Sequence, residues 1–163
     1  NILIISYKLL FQKIKKDLLP VGAMIKEGKP LLNKDYFEDI DVKVTKKNVK
    51  WYLDTTQEKI KLIQKILKQL KEKNIKLADN KIIYTLILRI RTLKIIENLN
   101  KNKIYSKKEF KKLIKNISKG EEAYKAYLSV KNDSEKKPKI NIKKAELLLN
   151  TLKKQLIKIK KEI

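Results

Sequence analysis

Two arginines, Arg89 and Arg91, are the side chains of this sequence best suited to chemistry, and they lie inside its most apolar helical segment, KIIYTLILRIRTLKII at residues 81–96. They are the only two arginines in the chain, and the rest of its 42 basic residues are lysines. A guanidinium is a planar, permanently charged fork that binds a phosphate or a carboxylate through two parallel hydrogen bonds, which lysine cannot reproduce. Both arginines are therefore candidate anion contacts, although arginines in such surroundings also form structural ion pairs with internal carboxylates.

Helical geometry separates these two arginines, because residues two positions apart in an α-helix point about 200° apart. We therefore expect at most one of them to contact a ligand and the other to be structural, either paired with a carboxylate or extended to a surface. A helix that is apolar nearly all round is typical of the centre of a helical bundle. The apolar positions around the arginines are Ile82, Ile83, Tyr84, Leu86, Ile87, Leu88, Ile90, Leu93, Ile95 and Ile96.

A second set of candidate anion contacts consists of lysines in the segment SKKEFKKLIK, namely Lys107, Lys108, Lys111 and Lys112. A single lysine-rich helix face is only the solvated side of an amphipathic helix. Several such faces on one bundle could form a surface that binds successive phosphates of a nucleic-acid backbone. The net charge of +24 is well beyond what solubility requires and favours nucleic acid or nucleotide as a partner, although A/T-rich codons also raise lysine content. Three tyrosines could stack on bases, although tyrosines at helical spacing more often belong to a half-buried core: Tyr105, Tyr124 and Tyr127.

Several classes of site are excluded by composition. The chain contains no cysteine and no histidine, so it has no thiol or imidazole chemistry, and we predict no catalytic residue and no metal site within it. The densest acidic cluster does not match a calcium-binding loop, so we expect a solvated or lysine-paired turn there; it comprises Asp35, Glu38, Asp39 and Asp41. The lack of cysteine fits a reducing, cytoplasmic setting, and charges from Lys8 onward predict no membrane partner.

The first 41 residues predict the end of an α/β module followed by an acidic connector. Residues 2–5 form a β-branched run suited to a buried strand, and the next segment has helical periodicity. Pro20 suits the first turn of a second short helix, and we expect Gly28 to end that helix in the left-handed conformation. Since the chain begins at Asn1 and contains no sheet for this strand, we expect its natural start and a preceding domain to be missing, with a partner domain or subunit at the strand.

Residues 42–163 predict a basic bundle of four to six helices, so the fold class is mainly α. The segment from Thr45 to Asn74 is either one long helix or two helices broken near Asp54. Asp79 is placed to cap a helix over residues 80–99, and Ser106 with Glu109 forms a capping box for the next one. A polar linker with Pro138 then precedes a last helix over residues 142–163.

Three stretches carry a resemblance to a known family. NILIISYKLLFQKIKK followed by GAMIKEGKPLLNKDYF resembles the tail of archaeal proteins of the polymerase-β-like nucleotidyltransferase superfamily. LILRIRTLKIIENLNKNKIYSKKEFKKLIKNISKGEEAYKAYLSVKND resembles the helical, HEPN-like domain that follows that module in some of these proteins. The resemblance implies metal-dependent nucleotidyl transfer by a Gly-Ser turn and three carboxylates, with a divalent metal such as Mg²⁺. Because the chain has no Gly-Ser dipeptide and no histidine, the resemblance implies architecture and context here, not catalytic residues.

The sequence thus predicts the helical accessory portion of a nucleotidyltransferase-like protein, which helps to bind a nucleotide or nucleic-acid substrate without a complete catalytic site. The alternative is a stand-alone basic helical protein that binds RNA or DNA through backbone phosphates. A third interpretation is a bundle that only binds other proteins, with lysines that reflect genome composition. Whether the protein is an enzyme, and its oligomeric state, are left open by the sequence.

Overall fold

The structure is a computed structural model that describes residues 4–134 and 138–163. Three helices come first: α1 (Tyr7–Lys16), α2 (Leu18–Glu27) and the short α3 (Lys34–Glu38). The Ser6 hydroxyl caps α1 by accepting a hydrogen bond from the Leu9 N–H. The predicted strand is absent at Ile4 and Ile5, because no neighbouring strand offers its backbone a hydrogen-bonding partner there. The other two residues of that predicted strand, 2 and 3, lie outside the described residues.

The end of α2 differs from the expectation. Pro20 lies in the first turn of α2, as predicted, but Gly28 has φ −71° and ψ 147°, so the predicted left-handed conformation is wrong. A Cβ atom at Gly28 would lie 2.8 Å from the Met24 carbonyl oxygen and 3.1 Å from the Phe37 ring. Close packing against α3, not backbone conformation, therefore explains the glycine.

Five helices follow: α4 (Lys46–Glu72), α5 (Asn80–Asn100), α6 (Lys107–Ser118), α7 (Glu122–Lys131) and α8 (Ile142–Glu162). The mainly helical class is confirmed. The described part of residues 42–163 contains five helices, within the predicted range of four to six. Of the two alternatives for α4, the unbroken helix is the one observed, with 27 residues.

Side-chain caps fix where these helices begin. Asp79 accepts from the Lys81 N–H and Ser106 from the Glu109 N–H, as predicted. The reciprocal capping box occurs instead at α4, where the Thr45 hydroxyl accepts from the Asn48 N–H and the Asn48 side chain accepts from the Thr45 N–H. Each cap satisfies a backbone N–H that the first helical turn leaves free.

A small antiparallel pair of strands joins two connections that are distant in sequence. β1 (Leu77–Ala78) pairs with β2 (Ile140–Asn141), with Leu77 opposite Asn141 and Ala78 opposite Ile140. The sequence did not predict these strands, because two residues are too few to show an alternating pattern. The pair holds the N-termini of α5 and α8 side by side.

α5 lies at the centre of the bundle, as its apolar character predicted. It packs against α2, α4, α7 and α8. Since α1 and α2 also pack against α4, the described helices before residue 42 share one core with the later ones. The fully buried side chains of α5 are Ile83, Leu86, Ile87, Ile90, Leu93 and Ile96.

In the described ranges, residues 4–134 and 138–163, none of the helices has both the length and the apolar character required to cross a membrane.

Candidate anion-binding site

Arg91 lines a cavity of about 170 Å³ between α5, α6 and α7. α5 supplies Arg91, the loop before α6 supplies Tyr105, and α6 supplies its first residue, Lys107. α7 supplies Tyr127 and its last residue, Lys131. The cavity lies where Arg91 of α5 faces the N-terminal end of α6 and the C-terminal part of α7. The remaining lining residues are Phe110, Tyr124 and Leu128.

The lining of this cavity is cationic. It contains three positively charged side chains and three tyrosines, and no carboxylate among the residues that the structure describes. The Arg91 guanidinium carbon lies 5.4 Å from the centre of the Tyr105 ring, a distance at which a cation is attracted to the ring face. Arg91 Nε is buried and makes no hydrogen bond within the part of the chain that the structure describes. The strongest donors of the cavity are therefore not matched by a negative charge.

The protonation states keep the cavity positive at neutral pH. Burial lowers the pKa of Arg91, but interactions with the Tyr105 and Tyr127 hydroxyl groups outweigh burial, so that its pKa is raised. Burial raises the pKa of Tyr105 and of Tyr124. Because a tyrosine with a raised pKa stays neutral at pH 7, these hydroxyls do not neutralise the guanidinium.

An aromatic cluster fixes the walls of the cavity. Tyr127 stacks on Tyr84 with ring centres 5.4 Å apart and an interplanar angle of 15°. The Tyr124 ring centre lies 5.8 Å from that of Tyr127, and the Tyr105 ring centre lies 5.9 Å from that of Phe110. Rings held on several sides lose little further freedom when a ligand binds, so the site is largely formed in advance.

The predicted lysines lie on the solvent face of α6, which buries Phe110 and Ile114 on its opposite side. Five of its lysines are exposed, and we call them the α6 lysine face: Lys107, Lys108, Lys111, Lys112 and Lys115. Glu121 lies 4.0 Å from the Lys111 ammonium and 3.4 Å from that of Lys115. Lys107, Lys108 and Lys112 form no ion pair within residues 4–134 and 138–163. Lys107 belongs to both the cavity and this face, so the two are continuous.

Arg89 lies on a different side of α5, against α4. Its Nη1 donates a hydrogen bond of 3.0 Å to the Thr55 hydroxyl, and its guanidinium carbon lies 6.0 Å from the Trp51 ring centre. Burial lowers the pKa of Arg89. The prediction that the two arginines point to different sides is confirmed by these partners.

Of the two structural alternatives, pairing of an arginine with an internal carboxylate is not observed for the described residues, where neither arginine forms an ion pair. The physical reason is that the one partly buried carboxylate of α5, Glu97, is occupied by lysines. Its oxygens lie 2.9 Å from the Lys94 ammonium, 2.8 Å from that of Lys101 and 2.7 Å from that of Lys158. Lysines reach this carboxylate from α5 itself and from α8, whereas both arginines point elsewhere.

The acidic residues of the α3 region form no metal-binding group. Across the described ranges, no three histidine, cysteine or acidic side chains are placed to hold a metal ion. Lys34 and Glu38 approach to 3.5 Å, so one of these carboxylates is paired with a lysine.

Sequence reasoning missed part of the cavity. Phe110, Leu128 and Lys131 were not identified as site residues, whereas Tyr105, Tyr124 and Tyr127 were identified only as possible stacking residues. Lys131 follows Tyr127 by four positions, and residues with this spacing lie on one helix face. That spacing could have grouped the two, but only the packing of α7 against α5 shows that they face Arg91.

Comparisons of this chain with protein-family models, with curated proteins and with solved structures find no match. The resemblance to nucleotidyltransferase-like proteins therefore stays a prediction from the sequence.

Proposed function

We propose that this protein binds nucleic acid through backbone phosphates, with the α6 lysine face as its main contact surface. The single observation that carries this proposal is the continuity between that face and the Arg91 cavity, whose lining, in the described part of the chain, has cations and hydroxyl groups but no carboxylate. The net charge of +24 adds a long-range field that attracts polyanions.

The geometry suits contact with phosphates in a row. Lys107 and Lys115 are eight positions apart, so the face extends for about 12 Å along α6 at the rise of an α-helix. Exposed lysines bind phosphates as point charges and displace the counterions around nucleic acid. These contacts are independent of base sequence, because phosphates carry no sequence information.

The same surface fits the role predicted from the family resemblance. As the helical accessory portion of a nucleotidyltransferase-like protein, this chain would hold a nucleotide or nucleic-acid substrate beside a catalytic module, which would supply the carboxylates and the divalent metal. This context rests on the sequence resemblance, whereas phosphate binding rests on the arrangement of α5, α6 and α7.

The test is the salt dependence of binding to a random-sequence, fluorescein-labelled oligonucleotide, followed by anisotropy. With four or five phosphate contacts, we expect the logarithm of the binding constant to fall with the logarithm of salt concentration, with a slope of about −3 to −4. The double variant Lys108→Gln/Lys112→Gln should reduce the steepness of that slope by about 1.5.

The matched control is Lys61→Gln/Lys65→Gln, which removes two exposed lysines with the same spacing from α4. This variant has the same net charge as the α6 double variant, and we expect it to keep the wild-type slope. Binding that does not respond to salt, or equal slopes for the two double variants, would contradict the proposal.

A further inference from the structure

The size of the Arg91 cavity limits what can enter it. Its volume is about 170 Å³. Water occupies about 30 Å³ per molecule in the liquid, so the cavity has room for the equivalent of five or six waters. Pockets that bury whole drug-sized ligands have volumes of about 300–1,000 Å³. The cavity therefore fits one small group, such as a phosphoryl group, rather than a whole nucleotide.

The chemistry of its lining selects the charge of that group. Arg91, Lys107 and Lys131 can only donate hydrogen bonds, and the tyrosine hydroxyls can donate as well. A cationic group would meet three like charges and, among the described lining residues, no carboxylate. An anionic group would instead take charge-assisted hydrogen bonds from three directions, because the three cations come from three different helices.

A phosphate monoester fits this arrangement better than a phosphodiester or a carboxylate. A monoester has a single covalent attachment, so it can enter a cavity enclosed by three helices, whereas a diester within a strand must have chain on both sides. Its charge at neutral pH is about −1.5 to −2, and it offers three terminal oxygens as acceptors. The number of terminal oxygens equals the number of cationic side chains that line the cavity. A carboxylate has one charge and two oxygens.

The position of the cavity indicates where such a group would come from. Lys107 lines the cavity and begins the α6 lysine face. A strand that follows this face toward the N-terminus of α6 therefore arrives at the cavity mouth. Arg91 lines the cavity there, and its planar fork can bind two phosphate oxygens together.

We infer that the Arg91 cavity binds a terminal phosphate monoester, either at the end of a nucleic-acid strand or on a free nucleotide. For the strand end, this inference rests on the proposed nucleic-acid binding. The Arg91 guanidinium holds two phosphate oxygens, and Lys107 and Lys131 contact the third from opposite sides of the cavity. Tyr127, which stacks on Tyr84, and Tyr105, which packs against Phe110, keep the guanidinium in place.

The test compares one oligonucleotide sequence in three forms: with a 5′-phosphate, with a 3′-phosphate and with neither. A nucleoside 5′-monophosphate is the fourth probe. We expect the wild-type protein to bind one phosphorylated form about tenfold more tightly than the unphosphorylated form, which is the effect of added charge-assisted hydrogen bonds. Arg91→Met should reduce that preference to less than about twofold, and Arg91→Lys should lose most of it, because an ammonium cannot form the bidentate contact.

Arg89→Lys is the matched control, since it changes the other arginine of the same helix and should keep the full preference. Circular dichroism and thermal unfolding show whether each variant is folded, and Arg91→Lys, which keeps the charge, serves if Arg91→Met fails to fold. Equal affinity for all three oligonucleotides, or a preference that survives in the Arg91 variants, overturns this inference and leaves backbone binding intact.

If no oligonucleotide binds but the monophosphate does so through Arg91, the cavity is a nucleotide site and the proposed nucleic-acid binding fails. Binding of none of the four probes overturns both proposals.

Discussion

Arg89 and Arg91 are separated by one residue on α5, and each has a buried Nε without a partner in the described structure and an aromatic ring beside its guanidinium, yet the two contact different residues. Arg89 lies against α4, where it donates to the Thr55 hydroxyl and lies beside Trp51, whose side chain is 64% exposed. Arg91 lies in a cavity that is partly open to solvent, with two lysines and three tyrosines. Burial lowers the pKa of Arg89, whereas tyrosine hydroxyls raise that of Arg91.

This difference shows that the neighbours of an arginine decide its role. The Arg89 guanidinium uses one of its donors to join α5 to α4 through the Thr55 hydroxyl. The Arg91 guanidinium is one of several donors that converge on a common space. We therefore interpret Arg89 as a structural residue and Arg91 as a ligand contact.

The largest expected effect comes from the residue between the two arginines. Ile90 is fully buried, and Ile90→Ala leaves a cavity in the core that both sides share. We expect the free energy of unfolding to fall by about 2–4 kcal/mol, measured by urea denaturation. The contacts of Arg89 and of Arg91 should both be weakened, because both side chains are positioned by the packing of α5. If the variant keeps wild-type stability, the central position of α5 in the core is wrong.

A medium effect is expected from Glu97, which contrasts with both arginines because it has oppositely charged partners. Burial alone would raise its pKa, but hydrogen bonds from Lys101, Lys158 and Lys94 outweigh burial and hold the pKa well below its usual range. A depressed pKa in the folded state adds stability above the unfolded pKa of about 4.3, and this stability is lost as the pH falls toward the folded pKa.

Glu97→Gln should therefore lower the free energy of unfolding at pH 7 by about 1 kcal/mol and make its decline below about pH 4 shallower. The measurement is urea denaturation across pH 2–7. As controls, Arg89→Met and Arg91→Met should keep the wild-type pH profile, because guanidinium groups stay charged throughout this range. An unchanged profile in Glu97→Gln would show that the lysine contacts add no stability.

The smallest effect is expected at Thr55, and it tests the structural interpretation of Arg89. Thr55→Val removes the oxygen that accepts from Arg89 Nη1, and we expect a loss of about 0.5–1.5 kcal/mol in stability. The preference for a phosphorylated oligonucleotide should not change, since this contact lies on the α4 side. A change in that preference without a change in stability would reverse the roles that we assign to Arg89 and Arg91.

Much of the fold could be predicted from local patterns. The caps at Asp79 and Ser106 were visible in the sequence because each is encoded within a few residues. The central position of α5 followed from its lack of a polar face. The Gly28 prediction was wrong because the residue is extended, and the space for a Cβ there is limited by the Met24 carbonyl oxygen and the Phe37 ring, the second of which is not encoded locally.

The candidate site was less predictable than the fold. The sequence identified Arg91, Lys107 and the tyrosines as separate candidates, but it could not place them in one cavity. Lys131 was missed, although it lies at the cavity wall. Contacts between helices depend on how α6 and α7 are oriented over α5, and no periodicity within one segment encodes that orientation.

By itself, the sequence determined the helical class, the strong positive charge and the separation of the two arginines, because composition and helical geometry are local properties. Only the tertiary structure decided which arginine meets other cations. The packing of α7 on α5, and of α6 on α7 and α8, brings Arg91, Lys107 and Lys131 together, while Glu97 is occupied by lysines from α5 and α8. The physical reason is that the charge of a site depends on which distant side chains share a space, and folding alone brings those side chains together.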